Sequence, residues 1–389
     1  MLTSKNFHVG RTACIAVFVG LCLFHYFSLR PLWIDERLVF ESFTERDYPE
    51  LFSRLKNGQT FPRVYLAAIK AFAAPWNNHL LAVRFFSLVS MLSAYFCWIK
   101  LYSQKKEQGL GLLLMILAMT CTFRFSYYAS ELKPYSLDVF VVALYTWFLI
   151  DQRRFETQRP TTGLYVMAAV LPLLMFFSYG SLFVVWMAAF NFLLMLKANH
   201  SLIRPLVVNL ISVAICFMAV YRLDLAHSMN EPTMHEYFQD SFIHFTSLSA
   251  FFSPLGEGIR RLGTWWYGNG KFFIRAATPF IFFFLYGLGR YGFKQLNNSR
   301  FRLHEIGAIG CALIVELFVM GCTGKYPFIA ERITLFLAPF VIYFTVQGIE
   351  DLRRFKVAHR FAVAYFVIYL LAALIHSFQY YWGFYTGIP

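Results

Sequence analysis

The sequence predicts an all-α polytopic transmembrane helix bundle of about eleven spans. Three observations carry that expectation. Of the 389 residues, 58% are hydrophobic and only 14% charged, whereas soluble domains average roughly 45–50% apolar and about 25% charged residues. The apolar residues gather in runs of about 17–22, the length that crosses about 30 Å of hydrocarbon. Lys and Arg cluster at alternate connections between those runs, as the positive-inside rule requires.

The expected spans are 12–29, 80–102, 109–127, 134–150, 162–178, 180–197, 205–222, 272–289, 306–322, 333–348 and 361–378. The first follows Lys5 and Arg11, exceeds a signal-peptide core in length and meets no small-residue cleavage site, so it reads as a retained signal anchor. The stretch from Thr162 to Lys197 is too long for one crossing, and Ser178-Tyr179-Gly180-Ser181 marks a tight hairpin inside it. With a cytoplasmic N-terminus, the inner connections carry Lys105-Lys106, Arg153-Arg154-Arg159, Lys197 with Arg204, Arg290 to Arg302, and Arg353 to Arg360. Dropping the hairpin would place the last two clusters outside, so the charge pattern favours keeping it.

Two outer loops are long, 30–79 and 223–271. In the first, Leu38, Phe40, Phe43, Leu51, Phe52 and Leu55 alternate with charges, which predicts amphipathic helices lying apolar face down on the membrane. Phe61 to Trp76, with Pro62 early and Pro75 late, predicts another. Aromatics and Gly/Pro breaks (Pro254, Gly256, Gly258, Trp265, Trp266, Gly268 and Gly270) mark the second loop, as in an ordered lid or binding loop. The net charge of +14 has no basic helix or tail standing apart from the spans, which argues against nucleic acid as a partner. The seven cysteines lie in or near apolar runs without paired metal spacing and read as small hydrophobes. His227, His235 and His244 lack a tight ligand spacing.

Working residues gather on the outer side. Asp35 and Glu36 stand adjacent in Leu32-Trp33-Ile34-Asp35-Glu36-Arg37, just past the first span. Neighbouring carboxylates at a membrane surface repel and lose solvation. Either one is a general base and the other orients a neighbour or binds a cation, or the pair is a solvated helix start beside Arg37. Glu131 and Lys133 sit in the short turn before Pro134, which can open the next helix. They read as a second acid with a cation, or as a surface pair. Lys325 and Arg332 lie in the later turn Gly324-Lys325-Tyr326-Pro327 and beyond. They could neutralise a phosphate outside the membrane or simply snorkel at the interface. Arg63 and Arg84 are further phosphate candidates, and Arg124 reads as snorkelling. Glu316 is an intramembrane acid, hence a functional candidate of unassigned place.

These motifs, in this order, resemble the GT-C membrane glycosyltransferases, in particular the branch of protein O-mannosyltransferases and lipid A aminoarabinose transferases. Trp33-Ile34-Asp35-Glu36 follows the first span as in that family. Phe61-Pro62-Arg63-Val64-Tyr65-Leu66 stands where the family has a Pro-Pro-Leu-Tyr run, with a single proline here. Ala82-Val83-Arg84-Phe85-Phe86-Ser87 is similar to its Ala-x-Arg-x-x-Ser start of span two. Ser130-Glu131-Leu132-Lys133-Pro134-Tyr135 resembles its Glu-x-Arg-Pro-Tyr turn, with Lys for Arg. Gly324-Lys325-Tyr326-Pro327, Arg332 and Pro339 resemble its later turn and following span.

The resemblance implies a GT-C-like catalytic module over residues 1–350, with a basic inner loop and C-terminal span over 351–389. It implies transfer of a sugar from a polyprenyl-phosphate-linked donor to a glycan, lipid or protein acceptor on the outer face, with inversion. Asp35 would be the base, Glu36 its neighbour positioning acceptor or base, and Glu131 a second acid. Lys325, Arg332, Lys133, Arg63, Arg84, Tyr135 and Tyr326 would bind substrate and phosphate. A divalent metal is possible, since family members differ on it. The setting implied is a bacterial inner membrane. The rival class is a multi-pass transporter of a lipid-linked or small polar solute, which would show broken helices at mid-bilayer and internal symmetry; no repeat is visible in the sequence.

Overall fold

The computed structural model describes residues 4–55, 59–104, 109–226, 236–267, 271–297, 303–330 and 332–386. Lys105, Lys106, His227, His235, Gly268, Gly270 and Arg302, all used in reading the sequence, lie outside the described residues. Among the described residues the regular elements are helical and no strand forms. Helix α1 (Ser4–Phe27) is followed by α2 (Ile34–Glu45) and α3 (Arg63–Ala73). Next come α4 (Leu80–Ser103), α5 (Leu110–Thr120), α6 (Phe123–Tyr128) and α7 (Tyr135–Asp151). Then follow α8 (Thr162–Val170), α9 (Gly180–Met195) and α10 (Ile203–Val220). The second long loop carries α11 (Leu248–Leu262) and α12 (Thr264–Tyr267), and α13 (Lys271–Ala276) follows it. The chain ends with α14 (Thr278–Asn297), α15 (Ile306–Cys322), α16 (Ala338–Glu350) and α17 (Lys356–Thr386).

Each expected apolar stretch is helical, and five are long and apolar enough to cross a membrane: Asn6–Phe27, Leu80–Ser103, His200–Leu225, Leu335–Arg354 and Lys356–Gln379. The chain is therefore consistent with a multi-pass integral membrane protein. The stretch 109–127 differs from expectation by breaking between α5 and α6. The hydroxyls of Thr120 and Thr122 each bond the carbonyl four residues back at 2.8 Å, an alternative to the helical ladder that bends helices.

The hairpin at Ser178–Ser181 is present. Gly180 N donates to Asp138 Oδ1 at 3.0 Å, which pins the start of α9 to the start of α7. Asn191 Nδ2 donates to Gln152 Oε1 at 2.6 Å, which pins their ends together. Helices α7 and α9 thus run parallel, and α8 with its 3₁₀ continuation Leu171–Phe176 runs back between them in sequence. Helices α14 and α16 bring their backbones close together. A Cβ at Gly287 would collide with the Phe344 carbonyl, and one at Gly348 with the Phe283 carbonyl. Such small-residue contacts let helix backbones approach where lipid supplies no hydrophobic drive.

The first long loop corrects one expectation. The apolar faces of α2 and α3 turn into protein rather than onto lipid. Val39, Phe43, Leu51, Leu55, Phe61, Leu66 and Ile69 form a core of their own with Val83 and Leu132. Burying these side chains is worth more against close-packed protein than at a wet interface, and it fixes α2 over the end of α4. The second loop corrects another. Pro254, Gly256 and Gly258 do not break it; α11 runs through all three. At Gly258 a Cβ would sit 3.1 Å from Ile329, so the glycine serves close packing against the 321–332 turn. Trp265 and Trp266 are buried in the bundle, and the seven cysteines are free.

Candidate functional site

A cavity of about 180 Å³ opens where the start of α2, the turn before α7, the turn before α9 and the segment 326–333 meet. Its charged lining is Asp35, Lys133, Arg332 and Asp138. Gln59, Thr60 and four phenols, Tyr135, Tyr179, Tyr237 and Tyr326, complete its polar lining. Residues from Asp35 to Ile333 along the chain contribute to it only because the helix ends converge at one end of the bundle.

Asp35 is the accessible acid. Its carboxylate pairs with Arg332 at 2.5 Å, with side chains 22% and 16% exposed. Arg332 also reaches the Tyr237 hydroxyl, which bonds it at 3.4 Å. Lys133 is buried and donates from Nζ to Gln59 Oε1 at 2.9 Å. Two carboxylates, Asp35 and Asp138, and two cations therefore share a single polar hollow.

Glu36, one residue on, points the other way and is fully buried. Successive helical residues are about 100° apart, so only one of the pair can face the cavity. Glu36 accepts from Arg30 Nη1 at 2.7 Å, Arg84 Nη2 at 3.2 Å, Leu132 N at 2.7 Å and Trp33 N at 3.1 Å. Arg84 Nη1 in turn donates to the Arg30 carbonyl at 2.9 Å, and Arg30 Nη2 to the Ser130 carbonyl at 3.2 Å. The Arg30 guanidinium lies 4.4 Å over the Tyr127 ring. Glu36 is surrounded by donors and stands as the orienting neighbour of Asp35, and one reading of the sequence is corrected: Arg84 neutralises Glu36 rather than a phosphate. Together they clamp α2 to α4 and to the 129–133 turn, which sets where Asp35 stands.

Glu131 does not line the cavity either. It is 1% exposed, and its Oε2 has no hydrogen-bond partner. Burial, then the neighbouring Glu36 charge, pushes its pKa up to about 7, while burial presses the nearby Lys133 down to about 8. A raised acid pKa in the fold stabilises the protein below the unfolded value of 4.5, and that contribution is lost as pH rises to about 7. Glu131→Gln removes the titration. Melting temperatures of the two proteins should match near pH 4.5 and diverge by pH 8, with the variant higher. Parallel curves across that range would remove Glu131 as the titrating group.

The remaining residues fall into two groups. Tyr135 and Tyr326 line the cavity. Lys325 is exposed and off the cavity, so it is not brought to the other cations. Arg63 is buried 3.8 Å from Asp224, whose carboxylate also receives the Tyr179 hydroxyl at 2.9 and 3.0 Å. Arg63 thus braces a cavity wall through Tyr179 instead of facing the cavity. Glu316 lies away from the site, accepting from Trp186 Nε1 at 2.9 Å. Among the described residues no three His, Cys, Asp or Glu side chains gather as a metal-ligand set.

Sequence reading missed Arg30, Gln59, Asp138, Tyr179, Asp224 and Tyr237. Asp138 carried a usable signal, an acid inside an apolar span. Arg30 and Asp224 stand at span ends, where snorkelling and function look alike. Gln59, Tyr179 and Tyr237 carried none. No known family model matches this sequence, and no characterised protein resembles it closely enough to count as a match.

Proposed function

We propose that the chain is a polyprenyl-phosphate-sugar-dependent glycosyltransferase with a GT-C-like bundle of about eleven spans. It works at the outer face of a bacterial inner membrane, with its N-terminus cytoplasmic. The carrying observation is the cavity that holds the accessible Asp35 carboxylate against Arg332, with Lys133 on the same wall.

The chemistry follows from those charges. Asp35 accepts the proton of an acceptor hydroxyl, whose oxygen attacks the anomeric carbon. The bond from that carbon to the phosphate oxygen breaks, and the electron pair leaves on the phosphate. A single displacement of this kind inverts the anomeric centre. Proton transfer by a placed carboxylate contributes typically about 10²–10⁴-fold, and cations aimed at the departing phosphate stabilise the charge that builds there. Arg332 and Asp35 neutralise each other. A donor phosphate that takes over Arg332 releases Asp35 to act as base, so donor binding switches on the acceptor side. The polyprenyl tail lies along the lipid-facing apolar helices.

The test is a transfer assay. Purified protein in lipid receives radiolabelled polyprenyl-phosphate sugars with membrane extract as acceptor. Wild type should transfer label, and Arg332→Met should lower the rate by about 10²–10³-fold, the loss typical of one charge-stabilising donor. No transfer from any donor, together with no binding of polyprenyl phosphate, would sink the proposal.

A further inference from the structure

The transfer step leaves one cavity carboxylate unused. Asp138 lies one turn into α7, is 4% exposed and lines the cavity. The Ser178 hydroxyl donates to its Oδ1 at 2.6 Å and Gly180 N at 3.0 Å. Gly180 permits that approach, because a Cβ there would stand 3.0 Å from the Cβ of Asp138. The Tyr179 backbone amide is a third donor to this carboxylate, and the residue still lines the cavity.

A buried carboxylate needs donors or a counter-charge. The two cations of the cavity have partners elsewhere: Lys133 bonds Gln59, and Arg332 pairs with Asp35. Around Asp138 the lining is phenolic, from Tyr135, Tyr179 and Tyr326. Such a surface suits a neutral, polyhydroxylated ring, whose hydroxyls donate to the acid and whose C–H faces rest on aromatic rings. A cationic ligand is disfavoured by Lys133 and Arg332 on the same walls. The cavity, about 180 Å³, is roughly ten times what one water needs, which is room for one sugar unit.

We infer that Asp138 is the residue that reads a hydroxyl of the transferred sugar, accepting its hydrogen at the carboxylate while Ser178, Gly180 and the Tyr179 amide hold the acid in place. The inference rests on the glycosyltransferase reading and names a recognition residue within it. A rigid acceptor makes a site selective, because a substrate lacking the matching hydroxyl leaves the buried acid unsatisfied.

The experiment uses the lipid-reconstituted protein and the polyprenyl-phosphate monosaccharide that it transfers, beside the monodeoxy analogues of that donor. Wild type should use one monodeoxy donor at a kcat/KM at least about 100-fold below the parent. Asp138→Ala should use that analogue and the parent within about threefold of each other. Ser178→Ala keeps the acid but loosens its hold, and should cut the discrimination by about tenfold, so the idea stays testable should Asp138→Ala not fold. Wild type using every monodeoxy donor within about threefold of the parent overturns the inference. So does Asp138→Ala or Ser178→Ala slowing all donors by one factor with discrimination intact, the mark of a purely structural acid. No transfer of any parent donor by wild type overturns the function itself, a result visible before an analogue is tried.

Discussion

Replacing Asp35 by Asn should lower sugar transfer by at least about 10²-fold and leave the protein folded and equally abundant. The amide keeps the shape of the side chain but cannot take a proton from an acceptor hydroxyl. Little stability is at stake. The side chain is 22% exposed, and its partner Arg332 is 16% exposed in the same open hollow. Ion pairs in contact with water contribute about 0–1 kcal/mol. Losing the pair even releases Arg332 for the donor phosphate, so KM for the donor should not rise while kcat collapses. Initial rates over a donor series, with melting temperature measured alongside, separate the two effects. Full activity in the Asn variant would remove Asp35 as base. A parallel loss of stability would mean that the acid holds the fold.

How far the sequence spoke to this site depends on the kind of signal. Run length and charge placement reveal the helices, because hydrocarbon thickness constrains each one separately. The turn at Ser178–Ser181 is legible for the same local reason. The Asp35-Glu36 pair marks the site, but its chemistry is divided by helix phase, and phase is settled by α2 packing its Val39 and Phe43 face into protein. An expectation of a lipid-facing α2 gives no basis for choosing which acid turns outward. Arg84 shows the same limit. Its partner lies 48 residues away in sequence, and only the packed fold reveals that its charge is already spent on Glu36. Lys325 and Arg332 look equivalent in one turn, yet one faces solvent and the other faces Asp35. Asp138 is the converse case, since an acid within Ser136-Leu137-Asp138-Val139 is conspicuous on burial grounds alone.

Glu36→Gln should act on the fold where Asp35→Asn acts on the chemistry. The carboxylate of Glu36 is fully buried between Arg30 and Arg84, with side-chain exposures of 2% and 0%. An amide presents one acceptor oxygen and turns an NH₂ toward guanidinium groups that have no water to fall back on. Removing one partner of a buried ion pair costs about 3–5 kcal/mol, so melting in lipid or detergent should shift down sharply. Activity should fall with the folded fraction and recover per folded molecule. The damage should also be non-additive. In Arg84→Met the carboxylate keeps Arg30 and the Leu132 amide, and combining Arg84→Met with Glu36→Gln removes a charge of each sign. The double variant should be less destabilised than the sum of the singles by about 0.5–3 kcal/mol, the range of directly coupled neighbours. A Glu36→Gln protein that melts like wild type yet transfers no sugar would place Glu36 in the reaction and break the division of labour between the two acids. Simple additivity with Arg84 would show instead that the two side chains are not one structural unit.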